Sequence, residues 1–212
     1  MLVCEKPVGI ISEDGGLPEL LRAQGRGEVY CVHRLDKLVG GVILYARTPE
    51  SAARLSKVVA ERRVDKTYLA IVEGRPSNTE GELRDLLYHD ARRNKSYVVH
   101  RQRRGVKEAA LRYTLLDSVE TGSGSLALLQ IRLLTGRSHQ IRVQFASRGL
   151  PLMGDRRYGS RERGNGLALW SYELGLEDPF SGEQMCFRSV PPASYPWILF
   201  PFRLKKCNEL SE

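Results

Sequence analysis

The sequence of 212 residues lacks the features of a membrane or secreted protein. It contains no run of about 18 apolar residues, which is roughly the length that a helix needs to cross a bilayer. Residues 1–7 have neither the basic start nor the long apolar stretch of a signal peptide. We therefore expect a cytoplasmic protein that has no membrane partner.

Cysteine is also scarce, with four residues, no Cys-x-x-Cys pair and no histidine at zinc-finger spacing. Cys4, Cys31, Cys186 and Cys207 are expected to be small buried thiols, because their spacing supports neither disulfides nor a structural zinc site. No cluster of carboxylates or histidines has the character of a metal-ligand set. We expect no metal.

Positive charge is abundant, since the formal net charge is +8 and the sequence pI is about 9.5. Residues 92–107 contain no acidic residue but seven basic ones, namely Arg92, Arg93, Lys95, Arg101, Arg103, Arg104 and Lys107. A second cluster, at residues 156–163, contains one acidic residue, Glu162, and four basic ones, namely Arg156, Arg157, Arg161 and Arg163. A solvated surface would explain any one of these side chains, but two clusters favour contact with the phosphates of a nucleic acid.

The hydrophobic pattern predicts an α+β protein with several strands and peripheral helices. Strands are predicted at residues 29–32, 42–46, 66–73, 96–100, 109–116, 126–133, 167–174 and 198–204. Helices are predicted at residues 18–22, after the capping residue Thr48, and from Thr135 to Arg148. The strand at 126–133 is apolar on both faces, which indicates a place inside a sheet.

One candidate site lies between the strands predicted at residues 29–32 and 42–46. Asp36 is flanked by Arg34 and Lys37 and is followed by Gly40 and Gly41. A carboxylate next to paired glycines suits a place where the backbone approaches a ligand. A charged turn with a local ion pair explains the same pattern equally well.

A second candidate site is the segment Thr-Gly-Arg-Ser-His-Gln-Ile-Arg at residues 135–142. A helix start with Arg137 is a natural site for an anion. Arg142 needs a carboxylate partner if it is buried. Gln140 is suited to reading a base edge, whereas His139 is more simply a helix-start histidine bonded to the backbone. The residues alone thus indicate an RNA- or DNA-binding protein.

The motif His-Arg-Leu-Asp at residues 33–36 and the segment 135–142 resemble the RluA-type pseudouridine synthases. Three further segments, residues 5–9, 66–70 and 149–159, resemble that family in the same order, so that the likeness spans residues 3 to about 192. It implies one catalytic domain over residues 1–212, with a mixed, largely antiparallel bent sheet, flanking helices and a central RNA-binding cleft. The implied activity is the isomerisation of uridine in ribosomal or transfer RNA, by a monomer without a cofactor.

The resemblance also implies the roles of individual residues. Asp36 is the catalytic carboxylate, which either attacks C1′ of the ribose or removes a proton from C2′. Arg142 is its ionic partner, and Tyr68 stacks on the uracil and contributes as a base. Six further residues are assigned to substrate binding: Arg34 holds the flipped nucleotide, Ile141 forms an apolar wall, Lys6 and Arg137 contact phosphates, and His33 and Gln140 complete the set.

The sequence departs from the family pattern at two places. Val39 and Gly40 replace a common Thr-Ser pair, and Leu-Trp-Ser at residues 169–171 replaces Leu-His-Ala, which we interpret as a packing change. The lost hydroxyls leave open a noncatalytic RNA-binding or RNA-folding protein on the same fold. A glycoside hydrolase would need a second carboxylate, which no feature identifies. Without an S4-like domain in front, a short stem-loop is the expected target.

Overall fold

The computed structural model describes residues 1–161 and 166–201. The chain forms two compact units. The described part of the first consists of Met1–Thr67 and Trp170–Pro191, and the second consists of Tyr68–Leu169 and Pro192–Pro201. The expectation of a single catalytic domain stays a prediction.

Helices and strands alternate irregularly along the chain. The strands are β1 (Leu2–Lys6), β2 (Tyr30–Cys31), β3 (Gly40–Ala46), β4 (Val64–Glu73), β5 (Glu80–Asp90), β6 (Lys95–Val99), β7 (Val106–Thr121), β8 (Gly124–Leu133), β9 (Leu169–Glu177) and β10 (Gln184–Arg188). The helices are α1 (Leu17–Ala23), α2 (Pro49–Ala60) and α3 (Gln140–Ala146), with 3₁₀ turns at Arg156–Tyr158 and Trp197–Leu199. Within the described ranges, no helix has the length and apolar character needed to cross a membrane.

The first unit is built around strand β3, which is buried along its whole length. Strands β1 and β2 pair with β3 in antiparallel fashion, and β9 pairs with it in parallel through Gly40 and Trp170. Strand β10 lies antiparallel on β9. An apolar sequence with little polar alternation suits a strand whose two faces are both covered, which is the position that β3 has.

Helix α2 of the first unit begins where the sequence predicts. The Thr48 hydroxyl accepts a hydrogen bond from the Ser51 N–H at 3.1 Å, and the Ser51 hydroxyl accepts one from the Thr48 N–H, also at 3.1 Å. Together these bonds form a capping box, and Pro49 occupies the first turn. Leu55 of this helix packs into the apolar core of the first unit.

The second unit is an antiparallel meander that continues from β4. Its strand order is β4-β8-β7-β5-β6. Residues 126–129 and Ile131 of β8 are at most 2% exposed, as the apolar character of both faces predicts. Helix α3 contacts β5 and β6. Its Val143 packs with Leu87 of β5 and Ala109 of β7 in a small apolar core.

The α+β class with a mostly antiparallel sheet is confirmed, but several boundaries were predicted wrongly. Helix α3 begins at Gln140 rather than at Thr135, because residues 135–138 form a turn that the Gln140 side chain holds. Strands β1, β5 and β10 were not predicted. Residues 197–199 form a 3₁₀ turn instead of a strand start, and the end of that predicted strand lies outside the described residues.

Candidate active site

Asp36 lies on the loop of residues 33–39, which we call the Asp36 loop, in the first unit. The buried hydroxyl of Ser12 accepts a hydrogen bond from the Leu35 N–H and donates one to the Leu35 carbonyl, each at 3.0 Å. The Asp36 carbonyl accepts a bond from the Val39 N–H at 2.9 Å. The backbone on both sides of Asp36 is therefore fixed, while its side chain is partly exposed.

Lys6 is fully buried beneath the same loop, at 0% exposure. Its ammonium group donates to the carbonyls of Pro7 at 2.9 Å, Ile10 at 2.7 Å and Lys37 at 3.4 Å. Burial lowers the pKa of Lys6 to about 8, and the negative charge of Asp36 opposes that shift. The ammonium is enclosed and occupied by backbone carbonyls, so Lys6 holds the Asp36 loop in place. The predicted contact of Lys6 with an RNA phosphate stays a prediction.

His33 is also buried, at 8% exposure. Its Nε2 accepts a hydrogen bond from the Leu44 N–H at 3.0 Å, so the proton of the neutral ring is on Nδ1. Burial first, and the charge of Lys66 second, lower the pKa of His33 to about 3. The ring therefore anchors the Asp36 loop to strand β3. The predicted role of His33 in substrate binding stays a prediction.

Arg34 is the exposed member of the same motif, with 63% of its side chain accessible. Its Nη1 lies 2.9 Å from Oε1 of Glu13. An ion pair between two exposed side chains contributes at most about 1 kcal/mol, so Glu13 holds Arg34 only weakly. The predicted contact of Arg34 with the flipped nucleotide stays a prediction.

The other predicted site residues lie in the second unit. Tyr68 on strand β4 is 7% exposed, and Ile141 on helix α3 is 4% exposed. Arg137 donates its Nε–H to the Glu108 carbonyl at 2.9 Å and remains partly exposed. The roles predicted for these three residues stay predictions.

The amide of Gln140 is occupied by its own unit. Its Oε1 accepts hydrogen bonds from the Thr135 hydroxyl at 2.7 Å and from the Arg137 N–H at 3.0 Å. Its Nε2 donates to the Ala110 carbonyl at 3.0 Å, and the residue is 3% exposed. This side chain therefore ties the 135–138 turn to strand β7. The predicted reading of a base edge by Gln140 stays a prediction.

Arg142 is buried on helix α3 and has a carboxylate partner in the same unit. Its Nε lies 2.7 Å from Oδ2 of Asp155, and its Nη2 lies 2.8 Å from Oδ1. The side chains are 4% and 1% exposed. The sequence predicted that a buried Arg142 needs a carboxylate, but Asp155 received no role there. The predicted pairing of Arg142 with Asp36 stays a prediction.

Tyr158 sits at the centre of a polar network in the second unit. Its hydroxyl accepts a hydrogen bond from the Ser96 N–H at 2.8 Å and lies 3.0 Å from Nδ1 of His139. Cζ of Arg142 is 5.1 Å from the centre of the ring, and Nζ of Lys95 is 5.3 Å from it. Burial raises the pKa of Tyr158. Sequence reasoning expected a backbone partner for His139 and missed this hydroxyl.

The two basic clusters are joined in the second unit. Nη1 of Arg157 donates to the carbonyls of Arg93 at 2.7 Å and Asn94 at 2.8 Å, which ties the second cluster to the turn between β5 and β6. Seven further side chains of the clusters are exposed, namely Arg92, Arg101, Arg103, Arg104, Lys107, Arg156 and Arg161. Together with Arg93, Lys95 and Arg157 we call them the basic surface. Arg163 lies outside the described residues.

The cysteines of the described residues are thiols and not disulfides. Cys4, Cys31 and Cys186 are partly buried, and burial raises the pKa of Cys4 to about 11, which makes its thiolate rare at neutral pH. Cys207 lies outside the described part of the chain. Across residues 1–161 and 166–201, no three His, Cys, Asp or Glu side chains are grouped so as to hold a metal ion.

Comparisons with known proteins identify the family. The sequence model described as RNA pseudouridylate synthase matches residues 1–147. The chain is 33% identical to an uncharacterised RNA pseudouridine synthase of Aquifex aeolicus over 79% of its own length, but spans only 56% of that relative. It is 33% identical to the dual-specificity RNA pseudouridine synthase RluA of Escherichia coli, over 92% of this chain and 90% of the relative.

The fold has a solved counterpart as well. Human RNA pseudouridylate synthase domain containing 1 matches with a TM-score of 0.78 and 24% identity, over 90% of this chain and 79% of the human chain. At that identity the likeness supports the fold alone, whereas the sequence matches define the family. The chain therefore belongs to the RNA pseudouridylate synthase family and is of the RluA type.

Proposed function

We propose that the protein isomerises uridine to pseudouridine in RNA, with Asp36 as the catalytic carboxylate. The observation that carries this proposal is the family match over residues 1–147, which includes the Asp36 loop. The anchoring of that loop by Ser12, His33 and Lys6 supports it, because a catalytic carboxylate needs a fixed position.

The proposed reaction needs no cofactor, since no atom is added and nothing is oxidised overall. The bond between C1′ and N1 breaks, the uracil turns, C5 bonds to C1′, and the hydrogen on C5 leaves as a proton while one returns to N1. Asp36 acts either as a nucleophile at C1′ or as a base at C2′. Both roles require an ionised carboxylate that is sheltered from bulk water.

We assign Arg142 as the cationic partner of Asp36 and Tyr68 as the aromatic residue that stacks on uracil. The rigid hold of Asp155 on Arg142 supports the first assignment, because a fixed guanidinium can stabilise one orientation of an anion. Burial of Tyr68 and Ile141 supports an apolar environment for a base. Removing a nucleotide from its stack costs a few kcal/mol, which Arg34 helps to offset.

The basic surface is proposed to contact the phosphate backbone of the RNA. Its side chains are exposed apart from the half-buried Lys95, and Arg157 ties the two sequence clusters together within the second unit. Phosphate contacts position a nucleic acid without reading its sequence. We propose a short stem-loop of ribosomal or transfer RNA as the substrate, bound in a central cleft by a cytoplasmic monomer. The name of the dual-specificity relative supports more than one RNA target.

Release of tritium from RNA labelled at C5 of uridine tests the proposal, because isomerisation expels that hydrogen. The RNA is taken from cells that lack this protein, so that its target sites are unmodified. Asp36→Asn removes the carboxylate, and Asp14→Asn is the matched control, since Asp14 is an exposed carboxylate of the same unit. Filter binding measures RNA affinity for all three proteins.

Release by the wild type and by Asp14→Asn, but not by Asp36→Asn with binding intact, is the expected result. Equal release by Asp36→Asn would reject Asp36 as the catalytic residue. Binding without release by the wild type would reject the activity and favour the noncatalytic RNA-binding protein.

A further inference from the structure

We propose that Asp155 and Tyr158 are positioning residues for the reaction, which hold the Arg142 guanidinium in one orientation and connect it to strand β6. This inference rests on the proposed function, since it assigns Arg142 to the chemistry. Asp155 and Tyr158 do not touch the reacting atoms in this scheme. They act through Arg142.

The Asp155 carboxylate fixes Arg142 by two parallel hydrogen bonds. They join Nε to Oδ2 at 2.7 Å and Nη2 to Oδ1 at 2.8 Å, so the carboxylate lies in the guanidinium plane along one edge. Two such bonds restrict rotation about the last side-chain torsion, which one bond would not do. Asp155 thereby occupies the edge of the guanidinium formed by Nε and Nη2, so a second anion would have to approach from another side.

Asp155 is itself held in place by its surroundings. It is 2% exposed, and its carbonyl accepts hydrogen bonds from the N–H groups of Tyr158 at 3.0 Å and Ser160 at 3.1 Å. The carboxylate thus projects from a folded turn rather than from a mobile loop. The position of the Asp155 carboxylate therefore determines the orientation of the Arg142 guanidinium.

Tyr158 supports the guanidinium from its face and links it to strand β6. The ring centre is 5.1 Å from Cζ of Arg142, within the range of a cation–π contact. The hydroxyl accepts the Ser96 N–H at 2.8 Å, and the Ser96 hydroxyl donates to the Ser138 carbonyl at 2.5 Å. Strand β6 also carries Lys95 of the basic surface, so contacts to RNA there can be transmitted to Arg142.

Asp155→Asn and Tyr158→Phe test the inference by single-turnover tritium release at saturating protein. We expect the rate to fall by between about 10- and 100-fold for Asp155→Asn, as misplacement of a catalytic group by about 1 Å does. Tyr158→Phe keeps the ring and loses the hydroxyl, and we expect a fall of about 3- to 10-fold by the same reasoning. RNA dissociation constants are expected to change less than about twofold, since neither residue contacts RNA phosphates.

Asp85→Asn on strand β5 is the matched control, because one of the partners of Asp85, Gln144, lies on helix α3 beside Arg142. Asp85 pairs with Arg148 at 2.9 Å and accepts a bond from Gln144 at 2.7 Å, so it resembles Asp155 in charge and partners without contacting Arg142. Its single-turnover rate is expected to equal that of the wild type. Equal slowing by Asp85→Asn and Asp155→Asn would reduce Asp155 to a structural role and overturn the inference.

A double-variant cycle distinguishes action through Arg142 from general damage. In an Arg142→Ala background, Asp155→Asn is expected to leave the residual rate unchanged, because the side chain that it positions is gone. A further fall of the same size as in the wild type would overturn the inference. Circular dichroism identifies folded variants, and Tyr158→Phe in the same cycle decides the question if Asp155→Asn unfolds.

The two proposals fail separately. An inactive wild type rejects the proposed function. An active wild type with a fully active, folded Asp155→Asn rejects only the positioning role of Asp155.

Discussion

Trp170 occupies the space that a side chain at Gly40 would need. A Cβ atom at Gly40 would lie 2.3 Å from Cζ3 of Trp170, and the two residues face each other in the parallel pairing of β3 with β9. The indole is 5% exposed and donates its Nε1–H to the Ser189 carbonyl at 2.9 Å. We therefore predict that Gly40 and Trp170, one residue from each departure from the family pattern, are coupled in their packing.

The neighbouring glycine has a separate requirement. Gly41 has a φ of +111°, and a Cβ there would lie 2.2 Å from the Ser171 carbonyl oxygen. Ser171 in turn donates its hydroxyl to the Val42 carbonyl at 2.8 Å. The pair of glycines thus allows β3 to approach β9 closely. We interpret the missing hydroxyl at position 40 as a consequence of this packing, and the tritium-release experiment decides between the enzyme and the noncatalytic protein.

Gly40→Ser is expected to destabilise the protein by about 1–3 kcal/mol, the usual result of overpacking a buried site. In a Trp170→His background, the smaller ring leaves room, and we expect a smaller loss. Urea unfolding of the four proteins measures the coupling. Gly122→Ser is the control, because nothing lies within 4 Å of a Cβ at Gly122. Equal losses in both backgrounds would contradict the coupling.

Lys6→Met is expected to lower stability without changing the salt dependence of RNA binding. It leaves the carbonyls of Pro7, Ile10 and Lys37 without this donor. A buried polar group without a partner costs about 1–3 kcal/mol. Urea unfolding and RNA titrations at several salt concentrations measure the two effects. Lys37→Met is the control, because it removes an exposed charge from the same loop. If Lys6→Met alone lowered the slope of log K against log salt concentration, the result would support a contact between Lys6 and an RNA phosphate.

Local signals made some elements predictable from the sequence. Helix α2 was predictable because Thr48, Pro49 and Ser51 determine its start within four residues. Strand β8 was predictable because its sequence is apolar on both faces, which is typical of a strand inside a sheet. Strand β5 was missed, since only Leu83 and Leu87 are buried along its eleven residues and its pairing with β6 and β7 supplies the rest.

The site was predictable in its motifs but not in its contacts. The Asp36 loop and the Arg142 helix could be identified by resemblance, whereas the roles of Lys6 and Gln140 depend on carbonyls that converge only in the folded chain. Nothing in their local sequence separates an enclosed lysine or glutamine from one that binds RNA. Asp155 was missed because it lies thirteen residues from Arg142, outside the range of any helical spacing.

His33 is expected to make the stability fall on acidification. Its folded pKa of about 3 lies below the unfolded value near 6.5, so only the unfolded chain takes up a proton between these values. This contribution is complete above pH 6.5 and is lost at up to about 1.4 kcal/mol per pH unit as the pH falls toward 3.

Urea unfolding between pH 7 and pH 4 checks the His33 prediction. His33→Gln has no titrating group at this position, and its stability should fall less steeply than that of the wild type. His100→Gln is the control, because His100 is exposed. Parallel profiles for the wild type and His33→Gln would show that His33 does not titrate in this way.

Three side chains of the basic surface are expected to contribute to the salt dependence of RNA binding. Arg92, Arg104 and Arg156 are exposed in the second unit. Each phosphate contact adds about 0.7 to 0.9 to the slope of log K against log salt concentration. The triple alanine variant should therefore lower that slope by about 2 to 3 and weaken binding most at low salt, while the rate at saturating RNA stays unchanged.

The matched control removes the same charge from the first unit, by alanine substitutions at Arg54, Lys57 and Arg62, which are exposed. If RNA phosphates contact the basic surface, only the triple variant at Arg92, Arg104 and Arg156 lowers the slope of log K against log salt concentration. If net charge alone attracts the RNA, both variants weaken binding equally. Because long-range attraction is screened beyond about 10 Å at 0.1 M salt, a difference between the variants that persists at this salt reports direct contact.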